Sequence, residues 1–220
     1  MSRAVLFDLD GTLADTAPDL GGALNRVLHA HGRPEQALEV LRPYTSQGVR
    51  GLLRAGFGIT PDDPSYADLA NEVLAEYTAG ICNETRLFDG MPELLDQLEQ
   101  DGVTWGIMTN KHQRFTTPLM QALKLDRRAA CIVCGDSTPH PKPAPDGLLL
   151  AARLIDRSAM DCLYVGDDKR DMDAAHAAQM IPIAAAWGYL GVDHPIDSWG
   201  ARHILSHPAQ VMDYLGAPGL

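Results

Sequence analysis

The stretch "AVLFDLDGTLADT", residues 4–16, decides how this 220-residue chain folds. Four apolar residues, Ala4 to Phe7, run without interruption into Asp8, and Asp10, Gly11 and Thr12 follow at once. A short continuous apolar run reads as a buried strand. Side chains two residues apart in a strand share a face, so Asp8 and Asp10 bring two carboxylates to one side of its end. Like charges repel, and burial strengthens the repulsion. A proton, a metal ion or both must compensate them.

From residue 90 onward, strand and helix patterns alternate. "GMPELLDQLEQDG" has the spacing of an amphipathic helix closed by Gly102. "VTWGIMTN", "AACIVCGD" and "CLYVGDD" are apolar strands that each end in polar residues. Between them lie the helices "QRFTTPLMQALKL", with Pro118 expected near its first turn, and "APDGLLLAARLI", with Pro145 near its start. "KRDMDAAHAAQM" is a further helix, and "IPIAAAW" and "ARHIL" are short late strands. Near-continuous apolar strands separated by amphipathic helices imply an α/β fold, a Rossmann-like parallel sheet covered on both faces.

Residues 15–82 differ. They read as helices with no convincing strand: "APDLGGALNRVLHAHG", "PEQALEVLRPY", "SQGVRGLLRAGFG" and "PSYADLANEVLAEYTAG", broken by the turn-rich "ITPDDP". The expected organisation is an α/β core from residues 1–14 and 83–220, with a small helical domain of residues 15–82 inserted after the first strand.

An apolar fraction of 45% suffices for a core without staples. The formal charge of −11, from 29 acidic against 18 basic residues, argues against nucleic acid or anionic membrane as partners. It does not argue against an anionic substrate, because a metal inverts the local field. No apolar run is long enough to span a bilayer, and no signal-peptide pattern is evident at the start. Cys131 and Cys134 have C-x-x-C spacing, but no second pair completes a zinc site. They and Cys82 and Cys162 are read as thiols of a protein in a reducing cytoplasm.

In open parallel sheets, ligands bind beyond the carboxyl ends of the strands. Four expected strand ends carry chemistry here: Asp8 and Asp10; Thr109 and Asn110; Lys142, in the loop after the third; and Asp167 and Asp168, with Asp171 one turn further on. Each has a structural reading as a cap, a turn former or a surface lysine. Together they would converge on one edge of one sheet.

On these residues the chain resembles the haloacid dehalogenase superfamily, in its magnesium-dependent phosphatase branch. "DLDGT" matches the first motif of that superfamily, "TN" the second, "KP" the third and "GDDKRD" the fourth, in order over nearly the whole chain. The helical insertion resembles its small cap. The resemblance implies that Asp8 attacks phosphorus to form an aspartyl phosphate. It implies that Asp10 protonates the leaving alcohol and then activates water. Mg²⁺ would be held by the Asp8 carboxylate, the Asp10 main-chain carbonyl and Asp167, an oxygen set suited to a hard ion. Thr109 and Lys142 would hold phosphoryl oxygens, helped by backbone N–H groups near Gly11 and Asn110. Asp168 stands where Ser or Thr is common in the superfamily and is expected to reach the metal through one of its ligands or a water. Asp171 is expected to orient Lys142 or metal-bound water.

The acid at Asp10 fits a phosphate monoester, whose alkoxide leaves poorly unless protonated. Within the superfamily the chain is similar to bacterial phosphoglycolate phosphatases and to a branch active on N-acetylmuramic acid 6-phosphate. Both implied substrates carry a carboxylate. "YTSQGVRGLLRAG", residues 44–56, is the expected specificity segment: Ser46, Gln47 and Gly48 facing the site, and Arg50 pairing with a carboxylate or standing in solvent. A sugar phosphomutase and a non-catalytic binding module are the alternatives. The first would need a basic cap motif that is not evident, and the second a lost core motif. The expected partner is a small phosphorylated metabolite, and the protein is expected to be a monomer or homodimer.

Overall fold

A computed structural model describes residues 3–216 of the chain. Strand β1 (Ala4–Phe7) is the first element of the α/β part. It is followed, after the helical insertion, by α5 (Met91–Gln100), β4 (Trp105–Met108), α6 (Gln113–Ala122), β5 (Ile132–Val133), α7 (Asp146–Leu154), β6 (Cys162–Gly166), α8 (Lys169–Ala177), β7 (Ile181–Ala185) and β8 (His203–Leu205). The sheet runs β5-β4-β1-β6-β7-β8 and every pairing in it is parallel. The chain moves outward on one side of β1 through β4 and β5, then on the other side from β6, so β1 lies at the switch point where ligands bind in such sheets.

Strand alternation sorts the core into two layers. Val5 and Phe7 pack with Trp105, Ile107, Leu163 and Val165 beneath Leu94, Leu95 and Leu98 of α5 and Leu119 and Met120 of α6. Ala4 and Leu6 face the other way, with Met108, Cys162 and Tyr164, under Leu148 and Ala151 of α7 and Ala174 and Ala175 of α8. β1 is buried along its whole length, which explains its unbroken apolar sequence. Each fully buried large apolar side chain contributes about 1.5–3 kcal/mol.

The insertion comprises α1 (Ala17–Ala30), α2 (Leu38–Thr45), α3 (Gly48–Phe57) and α4 (Tyr66–Ala79). Leu20, Leu24 and Leu28 recur every four residues on α1, forming an apolar stripe. That stripe packs on Leu41, Leu52, Leu53, Val73 and Tyr77. These helices have their own apolar cluster, joined from the α/β part by Phe115 of α6. Where the chain enters and leaves the insertion, β2 (Ala14–Asp15) and β3 (Arg86–Leu87) form a two-residue antiparallel ribbon. Two residues are too few to give a periodic signal, so the sequence shows no strand there.

Two sequence expectations need correction. Pro118 lies inside α6, not in its first turn, because the helix begins at Gln113, whose N–H donates to Asp136 Oδ1 at 2.8 Å. Proline removes the N–H that would have met the carbonyl four residues back. The strand expected in "AACIVCGD" shrinks to Ile132–Val133 at the sheet edge, where only β4 pairs with it.

Candidate active site

The carboxyl ends of β1, β4 and β6 and the loop after β5 bring Asp8, Thr109, Asp167 and Lys142 together, all four buried. Asp8 Oδ1 accepts the Leu9 N–H at 2.8 Å and lies 2.9 Å from Lys142 Nζ. The same ammonium reaches Asp171 Oδ1 at 2.7 Å and Tyr164 Oη at 2.8 Å. An ammonium has three donors, and Lys142 has three oxygen partners. Burial alone would lower its pKa, but Asp171 and Asp8 more than offset this and raise it, so it stays charged. The Asn110 side chain clamps this loop: Nδ2 donates to the Lys142 carbonyl at 3.0 Å, and Oδ1 accepts the Lys142 N–H at 2.8 Å. The Thr109 hydroxyl accepts the Lys111 N–H at 3.1 Å.

Asp167 is wholly buried. Its Oδ1 accepts from Thr12 Oγ1 at 2.8 Å, and its Oδ2 from the Tyr189 N–H at 2.9 Å and Ser46 Oγ at 3.3 Å. Burial, then the charges of Asp171 and Asp8, push its pKa well above the ordinary carboxylate range. Asp171 is raised too, by burial first; Lys142 opposes the shift and Asp8 adds to it. Asp8, Asp167 and Asp171 each offer an oxygen within 4.8 Å of the others. Asp8 and Asp171 share one ammonium and Asp167 has none, so the oxygen set and the uncompensated charge both fit a hard divalent cation. Among the described residues nothing donates to the Asp10 carbonyl, which leaves it available as a further ligand.

Asp10 is held by one oxygen. Its Oδ1 accepts from Thr16 Oγ1 at 2.6 Å and Lys111 Nζ at 2.9 Å. Oδ2 has no donor among the described residues and is open to a ligand. Gly11 adopts φ +85°, and a Cβ there would collide with the Asp167 carboxylate. Its own N–H donates to the Ala14 carbonyl at 3.0 Å. That bond closes the tight turn between β1 and β2.

Asp168 is the N-cap of α8, accepting the Arg170 N–H at 2.9 Å, and its carboxylate is turned to the Arg170 guanidinium at 2.8 and 3.0 Å. Burial would raise its pKa, but Arg170 holds it below the usual carboxylate range. A helix N-terminus prefers this residue type for its own reasons. Asp171 completes the capping box by accepting the Asp168 N–H at 3.0 Å, so one residue serves both the helix and Lys142.

A cleft of about 290 Å³ lies above these groups. Ser46, Gln47, Gly48 and Arg50 line it from the insertion. Ser46 touches Asp167 directly, and its carbonyl accepts from Arg170 Nη2 at 2.8 Å. Gln47 Nε2 donates to Asp193 Oδ2 at 3.2 Å, away from the carboxylates. Arg50 is exposed and makes no ion pair among the described residues. Lys111, Arg170, Tyr164, Thr12 and Thr16 are functional-site residues that the sequence reading did not single out. Adjacency to the strand-end motifs was the available signal for Lys111, Arg170 and Thr12; nothing local marked Tyr164 or Thr16.

With this geometry, comparison with known proteins is informative. The family described as haloacid dehalogenase-like hydrolase matches residues 5–185. A phosphoglycolate phosphatase of Xanthomonas campestris pv. campestris is 42% identical over 212 residues, covering 96% of this chain and 95% of that protein. An N-acetylmuramic acid 6-phosphate phosphatase of Pseudomonas aeruginosa is 38% identical over 216 residues, covering 97% and 94%. The crystal structure of a predicted phosphoglycolate phosphatase from Haemophilus somnus superposes with a TM-score of 0.84 over 96% of both chains, at 23% identity, and so shares the fold. A match over most of the chain, on the sheet edge where the buried carboxylates meet, places this protein among the haloacid dehalogenase-like hydrolases, as an enzyme similar to their phosphatases.

Proposed function

We propose that this hydrolase cleaves phosphate monoesters of small carboxylate-bearing metabolites through an aspartyl phosphate, with Mg²⁺ as cofactor. The observation that carries the reading is the division of labour at the end of β1. Asp8 lies against the Lys142 ammonium, in the buried carboxylate group, while Asp10 keeps one oxygen free outside it.

In this reading an Asp8 carboxylate oxygen attacks phosphorus, a P–O bond forms, and the bond from phosphorus to the alcohol oxygen breaks. Asp10 gives its proton to that oxygen as it leaves. Asp10, now ionised, takes a proton from water, which attacks the phosphorus of the aspartyl phosphate and frees Asp8 and inorganic phosphate. Lys142 and the Thr109 hydroxyl stabilise charge on the phosphoryl oxygens. Asp8, Asp167 and the Asp10 carbonyl, with Asp171 at hand, would hold the cation, which would supply charge neutralisation. Residues 15–82 act as a cap that selects the alcohol.

The names of the relatives supply two substrates, phosphoglycolate and N-acetylmuramic acid 6-phosphate. Leu20, Val49, Leu74, Tyr77 and Phe115 form an apolar wall of the cleft, which leaves room for the larger ester as well as the two-carbon acid. Among the described residues no helix is long and apolar enough to cross a membrane, and four free thiols support a reducing compartment. The test is turnover of both esters with Mg²⁺, with and without EDTA, together with the intact mass of quenched enzyme. One added phosphoryl group, absent in Asp8→Asn, is expected. Full activity in chelator would remove the metal, and wild-type turnover by Asp8→Asn would remove the nucleophile.

A further inference from the structure

Three cations line the floor and near wall of the cleft, and two of them each meet more than one oxygen-bearing group. Lys142 has Asp8, Asp171 and Tyr164. Arg170 has Asp168 and the Ser46 carbonyl. Lys111 differs. Its side chain is 8% exposed, yet among the described residues its only oxygen partner is Asp10 Oδ1 at 2.9 Å. Its Nζ also lies 4.6 Å from the Tyr77 ring centroid. The ring is a weaker partner than an oxygen, and an ammonium has three donors. The adjacent Tyr77 hydroxyl is buried with no partner. A buried charge with unmet donors is costly unless something arrives to meet them.

We propose that Lys111 is a specificity-determining residue that binds an acceptor oxygen of the substrate's leaving alcohol, on the carbon next to the ester carbon. The proposal rests on the phosphatase reading, in which Asp10 exchanges its proton with the ester oxygen. Lys111 holds the other oxygen of that carboxylate, so the substrate atoms in its reach are the first ones beyond the ester. The apolar faces of Tyr77 and Phe115, whose rings lie 5.8 Å apart, lower the local dielectric and strengthen the pairing. The preferred ester therefore carries a carboxylate, or a strongly accepting oxygen, next to the ester carbon. Arg50 and Arg114, both exposed on the cleft wall, are left for more distant groups.

The test uses three esters of equal reach: phosphoglycolate, which has a carboxylate next to the ester carbon; ethyl phosphate, which has nothing there; and O-phosphoethanolamine, which has a cation. Lys111→Met should lower kcat/KM for phosphoglycolate about 10–100-fold more than for ethyl phosphate, chiefly through KM, and should improve phosphoethanolamine relative to ethyl phosphate. Lys111→Arg should keep the wild-type preference. If Lys111→Met does not fold, Lys111→Gln, which can still donate to Asp10, should lose the preference that Lys111→Arg keeps. If Lys111 serves only to neutralise Asp10, kcat falls by one factor for all three esters, and that result overturns the proposal. Turnover of none of them while N-acetylmuramic acid 6-phosphate is hydrolysed, or turnover with equal losses, overturns this proposal alone; turnover of neither these esters nor N-acetylmuramic acid 6-phosphate overturns the phosphatase reading with it.

Discussion

At the scale of single residues, the site depends on contacts that tolerate little substitution. Gly11 combines a positive φ with an approach to Asp167 that leaves no room for a Cβ. Gly11→Ala should therefore cost about 1–3 kcal/mol and displace Asp167, so thermal melting should fall and the Mg²⁺ concentration for half-maximal activity should rise together. Asp10→Asn keeps the shape but cannot exchange a proton, and is expected to lower kcat about 10²–10⁴-fold with KM little changed. The thiols make a different prediction. Burial raises both Cys131 and Cys162 to about 11 from the ordinary 9.0. Between those values the unfolded thiols lose protons that the folded ones keep. The unfolded state then binds fewer protons, so stability falls as pH rises through that window. Urea midpoints at pH 8 and 10.5 should differ more for the wild type than for the Cys131→Ala, Cys162→Ala double variant, whose remaining alkaline groups are the same.

At the scale of elements, the passage between the insertion and the α/β part is held by one buried carboxylate that nothing in the sequence marks. Asp19, in the first turn of α1, accepts the Glu84 N–H at 3.0 Å, the Thr85 N–H at 2.9 Å and the Thr85 hydroxyl at 2.6 Å. It ties α1 to the chain returning into β3. Asp19→Ala leaves those donors unmet, and each buried one costs about 1–3 kcal/mol. Urea unfolding should show a loss within that range or somewhat above it, and Asp19→Asn, which keeps an acceptor, should lose less. α8 shows the reverse economy: Asp168 and Asp171 both start the helix, and one of them also serves the site. "GDDKRD" is therefore two signals in one string, helix cap and site, and the direct contacts of Asp168 are with Arg170.

At the scale of the whole molecule, the insertion sits over the sheet edge through a few polar contacts. Among them are Arg170 to the Ser46 carbonyl at 2.8 Å, Ser46 Oγ to Asp167 at 3.3 Å and Gln47 to Asp193 at 3.2 Å. Arg50 is absent from that set. Its exposure predicts that Arg50→Ala changes stability by less than about 0.5 kcal/mol. If it meets a substrate carboxylate only in solvent, kcat/KM for carboxylate-bearing esters should fall by no more than about 1 kcal/mol relative to para-nitrophenyl phosphate. A loss of several kcal/mol confined to those esters would mean that the arginine becomes buried against the carboxylate.

Features that repeat at short range are legible in the chain before it folds. Unbroken apolar runs marked the strands of the parallel sheet, the four-residue spacing of Leu20, Leu24 and Leu28 marked α1, and polar residues at strand ends marked Asp8, Thr109 and Asp167. Folding settled everything that depends on groups distant in the chain. It set the partners of Lys142, which come from residues 8, 164 and 171. It set the anchoring of Asp10 by Thr16 and Lys111, and the role of Asp19. It also turned Asp168 toward Arg170 and gave the Gly11 N–H to Ala14. The reason is physical. Backbone periodicity is a local constraint and leaves a local pattern, whereas a buried charge must be compensated by whichever groups folding brings within about 3 Å of it, and sequence spacing carries no measure of that distance.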